Sequence, residues 1–145
     1  MVASALILTT LRDRIEAGLM DSSNRSWDTG TLDEAIKLAL ADLSQAYGST
    51  LTVKDLASAA STTVDVLDEN TLVLGSQAYA ASSRAVNRTE KVNLGQDGAP
   101  ALAAWARLRM QLFEDWLAKV TARMLHSSSA APHGQMDWTE EPKDF

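Results

Sequence analysis

Few residues of this chain have both the type and the setting for chemistry near neutral pH. The only histidines are His126 and His133. Both fall in the stretch HSSSAAPHGQMDWTEEPKDF, which has no apolar period and contains Pro132 and Pro142. A general base has to be held within hydrogen-bond reach of the proton it takes, and a segment with no packed support around it does not hold that geometry. Asp65, Asp68 and Glu69 could gather round a cation, but they lack the regular oxygen-ligand spacing of a calcium loop. Solvated loop carboxylates are the simpler expectation. With no cysteine in the chain, there is no thiolate nucleophile, no cysteine zinc site and no disulfide framework. The patterns G-x-G-x-x-G, G-x-x-x-x-G-K-S/T, G-x-S-x-G and H-E-x-x-H are absent as well, which removes the common phosphate cradles, the serine elbow and the zincin site. The expectation is a protein without catalytic residues, metal or cofactor, whose work lies in its surfaces.

Those surfaces need a scaffold, and the composition says which kind. A chain of 145 residues with 46% hydrophobic and 22% charged residues is enough for one packed core. Alanine, leucine and serine dominate, and proline is absent before Pro100. This favours helices over a sandwich, whose turns would call on glycine and proline often. The opening MVASALIL lacks a basic start and a cleavage site, and no apolar run approaches the roughly 20 residues that span a bilayer. A soluble protein without a membrane partner is expected. The net charge of −6 argues against binding along a duplex, since phosphate neutralisation requires clustered lysine and arginine.

Periodicity predicts four helices. Leu8, Leu11, Ile15 and Leu19 share one face, predicting a first helix over residues 4–19. After the polar MDSSNRSW, Thr31 and Glu34 have capping-box spacing. The second helix then carries Leu32, Ile36, Ala39, Leu40, Leu43 and Tyr47 on one face and ends at Gly48. Trp27, just ahead of this start, reads as a buried hydrophobic staple. A short polar turn between the first two helices raises the possibility of a helix-turn-helix, but Asp33, Glu34 and Asp42 against Lys37 would repel phosphate.

Residues 49–70 lose the helical period. The β-branched TLTV and TTVDVL flank a small-residue middle, so a two-stranded hairpin and an extended loop with one turn at KDLAS are both open. A third helix is predicted over residues 71–92, with Leu72, Tyr79 and Val86 inward and a basic stripe, Arg84, Arg88 and Lys91, on another face. That stripe is either a solvated face or a partner for acids on a neighbour. A fourth helix is predicted over residues 101–125, with the stripe Leu102, Trp105, Leu108, Leu112, Trp116, Val120 and Met124 as its core face. The predicted division is a helical body over residues 1–125 and an extended tail over residues 126–145, with Trp138 and Phe145 as aromatic anchors. The fold class is therefore all-α, with a four-helix core, a loop or small hairpin between helices two and three, and a C-terminal arm. Trp27, Leu32, Ile36, Tyr47, Tyr79, Trp105 and Trp116 are the expected core residues.

The order of two segments goes further. W-D-T-G-T-L-D-E-A-I from Trp27 to Ile36, and A-Y-A-A-S-S-R-A from Ala78 to Ala85 ahead of a long helix, together resemble the head-tail connector, or adaptor, proteins of tailed bacteriophages. The resemblance covers roughly residues 6–125 and rests on the joint order and spacing of the two segments.

The resemblance implies a structural, non-enzymatic virion neck protein, assembled in the host cytoplasm as a ring, typically of twelve copies. Such a ring sits under the portal protein and receives stopper or tail-side proteins, and DNA passes through its channel without sequence-specific binding. The particle is an infectious phage or a phage-derived, DNA-packaging one such as a gene transfer agent. By position, it also implies portal or intersubunit contacts from Leu51, Val53, Val64 and Val66, and from Trp138 and Phe145. Arg84, Arg88 and Lys91 would meet acids such as Asp33 or Asp42 on the next copy. The competing reading is a small acidic helical regulator acting by protein–protein binding.

Overall fold

The computed structural model describes residues 2–19, 27–90 and 98–127, with the side chains of 87–90 and 98–100 outside the description. It is all-α, with four helices: α1 Leu8–Gly18, α2 Thr29–Tyr47, α3 Glu69–Glu90 and α4 Gly98–Ser127. Helix α3 is the hub, packing on α4, α2 and α1.

The first helix starts four residues later than its apolar period suggested. Residues 2–7 are extended, because their backbone groups have partners in the segment between α2 and α3. Val66 N–H donates to the Val2 carbonyl (3.0 Å), Ser4 N–H to Val64 (2.8 Å) and Leu8 N–H to Lys54 (3.1 Å). Single bridges join Ala3 to Asp65 and Ile7 to Lys54. Propensity for helix in SALIL is outweighed by these long-range bonds, as a weak local preference usually is.

The second helix also begins before its predicted cap. Asp28, not Thr31, is the N-cap, and its carboxylate accepts the Thr31 N–H at 2.7 Å. Glu34 pairs with Lys37 at 2.7 Å instead of reaching back. Three candidate caps lie within four positions, and Asp28 wins by capturing an N–H three residues ahead, which adds one more turn to the helix. The bond to the Thr31 amide holds the Asp28 carboxyl below its ordinary value. At the other end Gly48 takes the left-handed conformation, φ 73°, as its position predicted.

Among the described residues, 49–68 form no strand, so no hairpin ladder joins α2 to α3. The two limbs are tied by threonine side chains. Thr63 N–H donates to the Thr52 carbonyl (2.9 Å), Thr52 N–H to Thr63 Oγ1 (2.8 Å) and Lys54 N–H to Thr62 Oγ1 (2.9 Å). The β-branched alternation thus resolves into buried Val53 and Val64 and bonding threonines. Its tip is strained: Asp55, Ala57 and Ser58 have φ of 72°, 48° and 63°, a region that costs a residue with a Cβ about 1–2 kcal/mol.

The core joins Leu11 and Ile15 of α1, Leu32, Ile36, Ala39 and Leu43 of α2, and Leu72 and Leu74 of α3 to Val53 and Val64 of the loop and Phe113 of α4. Phe113 is the largest fully buried side chain. It lies where α3 offers Gly75, and a Cβ there would come within 2.5 Å of the Phe113 ring. A glycine inside a helix costs about 1 kcal/mol relative to alanine. Here it admits the aromatic ring.

The inward face of α4 keeps only the C-terminal part of the expected stripe, Val120 with Trp116 and Met124 packed against the core. Ala106, Phe113 and Val120 are buried, with Met110, Leu117 and Met124 partly buried against the core. Leu108 and Leu112 are exposed, 67% and 40%. Trp105 and Trp116, expected in the core, are only half-buried. Trp105 stacks under the guanidinium of Arg109, 4.9 Å from the ring centroid. Val86, expected inward on α3, is exposed as well.

Candidate functional site

Buried and half-buried acidic side chains of the described region are tied to residues of other elements. Asp68, at the last position before α3, is 2% exposed. It accepts hydrogen bonds from the Tyr47 hydroxyl at the end of α2 and from the Arg123 guanidinium near the end of α4. Asp65 is also buried and accepts the Leu67 N–H at 2.9 Å. Glu69 pairs with Arg14 at 2.9 Å and accepts the Ser4 hydroxyl. The expectation of solvated loop acids therefore fails for Asp65 and Asp68. A buried carboxylate needs partners, and α1, α2 and α4 each supply one to this acidic turn. No group of three or more His, Asp or Glu among the described residues is arranged to hold a metal ion.

Electrostatics follow from these bonds. Burial, then the bond to Asp68, pushes the Tyr47 hydroxyl well above its ordinary range. Tyr79 is pushed up to about 12 by burial and by its bond to Asp42. Asp33 holds Arg12 in a two-point pair at 2.8 and 2.6 Å and raises the guanidinium pKa. Asp68 raises the Arg123 guanidinium pKa likewise, through a single bond. Each contact ties one helix to another or to the turn before α3, so the polar network positions the bundle.

The residues expected to face a partner divide into three groups. Leu51, Val53 and Val64 are buried, at 6%, 0% and 0% exposure, so they pack the core and do not present a contact surface. Thr-mediated closure of the loop turned them inward. Val66 is about half exposed and Leu67 beside it is 70% exposed. Arg88, Lys91, Trp138 and Phe145 lie outside the described side chains, as does His133, while His126 is exposed in the last turn of α4. Nor do Asp33 and Asp42 await a neighbour's arginine: Arg12 and Tyr79 of the same chain engage them.

Arg84 has a different role from the one its stripe suggested. Its guanidinium lies 5.0 Å from the centroid of the Trp27 ring. Trp27 is buried, and its indole N–H donates to the Ala80 carbonyl at 3.0 Å. The tryptophan is thus clamped between the start of α2 and the middle of α3. Of the other expected core residues, Leu32 and Ile36 are fully buried, while Tyr47 and Tyr79 are half-buried with their hydroxyls on Asp68 and Asp42. Set against known protein families, curated proteins and solved structures, the chain matches none.

What remains open to a partner is an apolar surface that sequence periodicity had assigned to the core. Leu108 and Leu112 run along the outer side of α4, with Trp116 at its edge, half-buried and packed against the core, and Val66 and Leu67 project from the turn before α3. Between that turn and α4 is a cleft of about 510 Å³ walled by Leu67, Trp116, Lys119 and Arg123. No helix among the described residues is long and apolar enough to cross a membrane. The signal that could have separated it is the second period on α4. Residues 106, 110, 113 and 117 repeat at spacings of three and four beside the tryptophan stripe and join it at Val120 and Met124, and an apolar face this wide exceeds what one core requires.

Proposed function

We propose that this chain is a structural adaptor of a virion neck, in a phage or phage-derived particle. Copies join in a ring that binds the portal protein on one side and stopper or tail-side proteins on the other, and DNA passes through the channel. One observation carries the reading. The two segments on which the resemblance to head-tail connectors rests, Trp27–Ile36 and Ala78–Ala85, meet in the fold at a single point: Trp27 donates to Ala80 and lies under Arg84. Residues far apart in the chain thus pack together, which supports reading the two segments jointly.

Two further features agree with the role. A closed ring uses a heterologous interface, in which each copy presents two different faces. The outer side of α4 supplies one apolar face, and its leucines replace the buried Leu51, Val53 and Val64 as contact residues. A net charge of −6 lets DNA slide past without adhering.

The test is electron microscopy of particles assembled with and without this chain. A ring of this protein at the portal vertex, and heads without tails when it is deleted, is the expected result. A portal vertex that carries no such ring in tailed particles defeats the proposal. Leu112→Asp should leave the monomer folded and give the deletion phenotype.

A further inference from the structure

The cleft between the turn at Leu67 and the C-terminal half of α4 combines apolar and basic side chains. Leu67 and the half-buried ring of Trp116 make its apolar wall, and Lys119 and Arg123 make its basic rim. Lys119 forms no ion pair among the described residues, and Arg123 keeps 39% of its side chain exposed while holding Asp68. A seat of this kind takes an aromatic side chain flanked by carboxylates. The sequence contains one such segment close by: Asp137-Trp138-Thr139-Glu140-Glu141.

We propose that the segment Asp137–Glu141 of the same chain docks in this cleft, with Trp138 against Leu67 and Trp116 and its acids toward Lys119 and Arg123. Reach is sufficient. From Ser127, the end of α4, back to Lys119 is about 12 Å along a helix that rises 1.5 Å per residue. The ten residues between Ser127 and Trp138 can span about 33 Å when extended. Charge is complementary, since residues 128–145 hold Asp137, Glu140, Glu141 and Asp144 against Lys143 alone. Volume is sufficient too, because an indole occupies only part of a 510 Å³ cleft. A short tether gives an effective concentration on the order of 1 mM, so the chain's own segment outcompetes that of another copy at ordinary concentrations. The docked segment would cover Leu67 and Trp116, one end of the open apolar surface, until a partner displaces it. This contact does not rest on the neck reading.

The chain has no cysteine, so a single introduced thiol reports on the cleft. Leu67→Cys in the full chain, labelled with a soluble maleimide, is compared with the same variant carrying Trp138→Ala. Leu38→Cys, exposed on the outside of α2, is the control. With an affinity on the order of 0.1 mM for the tethered segment, the cleft is closed about nine-tenths of the time, and labelling at position 67 slows about tenfold. Trp138→Ala should restore the fast rate at position 67 and leave position 38 unchanged, at every protein concentration, and added salt should act in the same direction. Equal rates at position 67 with and without Trp138 overturn the proposal. Protection that fades on dilution overturns it as well, because the segment would then come from a second copy.

Discussion

The two sides of α4 are equally apolar and do different work. Inward, Ala106, Phe113 and Val120 are sealed against α3 and the rest of the core, and Phe113 occupies the space that Gly75 leaves. Outward, Leu108 and Leu112 face solvent with Trp105 half-covered beside them. Leucines lie on both sides, Leu117 inward and Leu108 and Leu112 outward. Size and hydrophobicity therefore do not identify a core face; the complementary surface on the neighbouring helix does. A glycine on α3 decides which stripe of α4 turns inward.

The strongest way to break this contrast is to remove the inward ring. Phe113→Ala should destabilise the folded chain by about 3–5 kcal/mol, read as a lower denaturant midpoint. Trp27→Ala belongs to the same class, at about 3–5 kcal/mol, because its ring is buried and its N–H is bonded to Ala80. If Trp27→Ala kept the monomer's stability and impaired only assembly, the clamp between α2 and α3 would be an interface instead. Gly75→Ala should cost about 1–3 kcal/mol despite better helix propensity, since the new methyl meets Phe113, which is enclosed on all sides. An increase in stability there would mean that α3 and α4 can part without loss.

Tyr79 links the inward face to pH. Its ring makes an edge contact with Phe113, centroids 6.4 Å apart, and its hydroxyl ionises only near 12 in the folded chain against 10.0 when free. A folded pKa above the unfolded one means that the contribution is fully present below pH 10 and is lost as pH rises from 10 through 12. Thermal unfolding temperatures should therefore fall more steeply over that window in the parent chain than in Tyr79→Phe. Equal slopes would show that the hydroxyl is as free in the fold as out of it. At the small end, Leu108→Ala or Leu112→Ala should change monomer stability by no more than about 0.5 kcal/mol. A loss of 2 kcal/mol from either would mean that the outer stripe is structural and the contrast false.

The same contrast explains what could be read before the fold was known. The helical class was legible because the apolar periods of α1 and α2 each have one side, so Leu11, Leu32 and Ile36 could point only one way. Gly48 and Trp27 were legible for a local reason, a left-handed terminator and a ring beside a helix start. On α4 two stripes compete, and choosing between them depends on Gly75, more than thirty residues away. Residues 49–68 were opaque because their structure depends on threonine hydroxyls and on residues 2–7, partners that no local pattern reveals. The acidic turn looked like solvent-facing loop because Asp68 meets Tyr47 and Arg123 only after three helices have assembled.

The extended residues 2–7 carry one further consequence, for the order of events in folding. Their side-chain partners are distant in sequence: Thr62 bonds the Leu6 carbonyl across 56 positions, and Ser4 reaches Glu69 across 65. Contacts of such separation form after the loop between them has been closed. The α2–α3 pair can zip locally, but this clip has nothing to bind until the threonine-tied loop is in place. It is therefore the last part of the described bundle to arrive and the first to leave, and its amides between Ser4 and Leu8 should exchange with solvent ahead of those in α3.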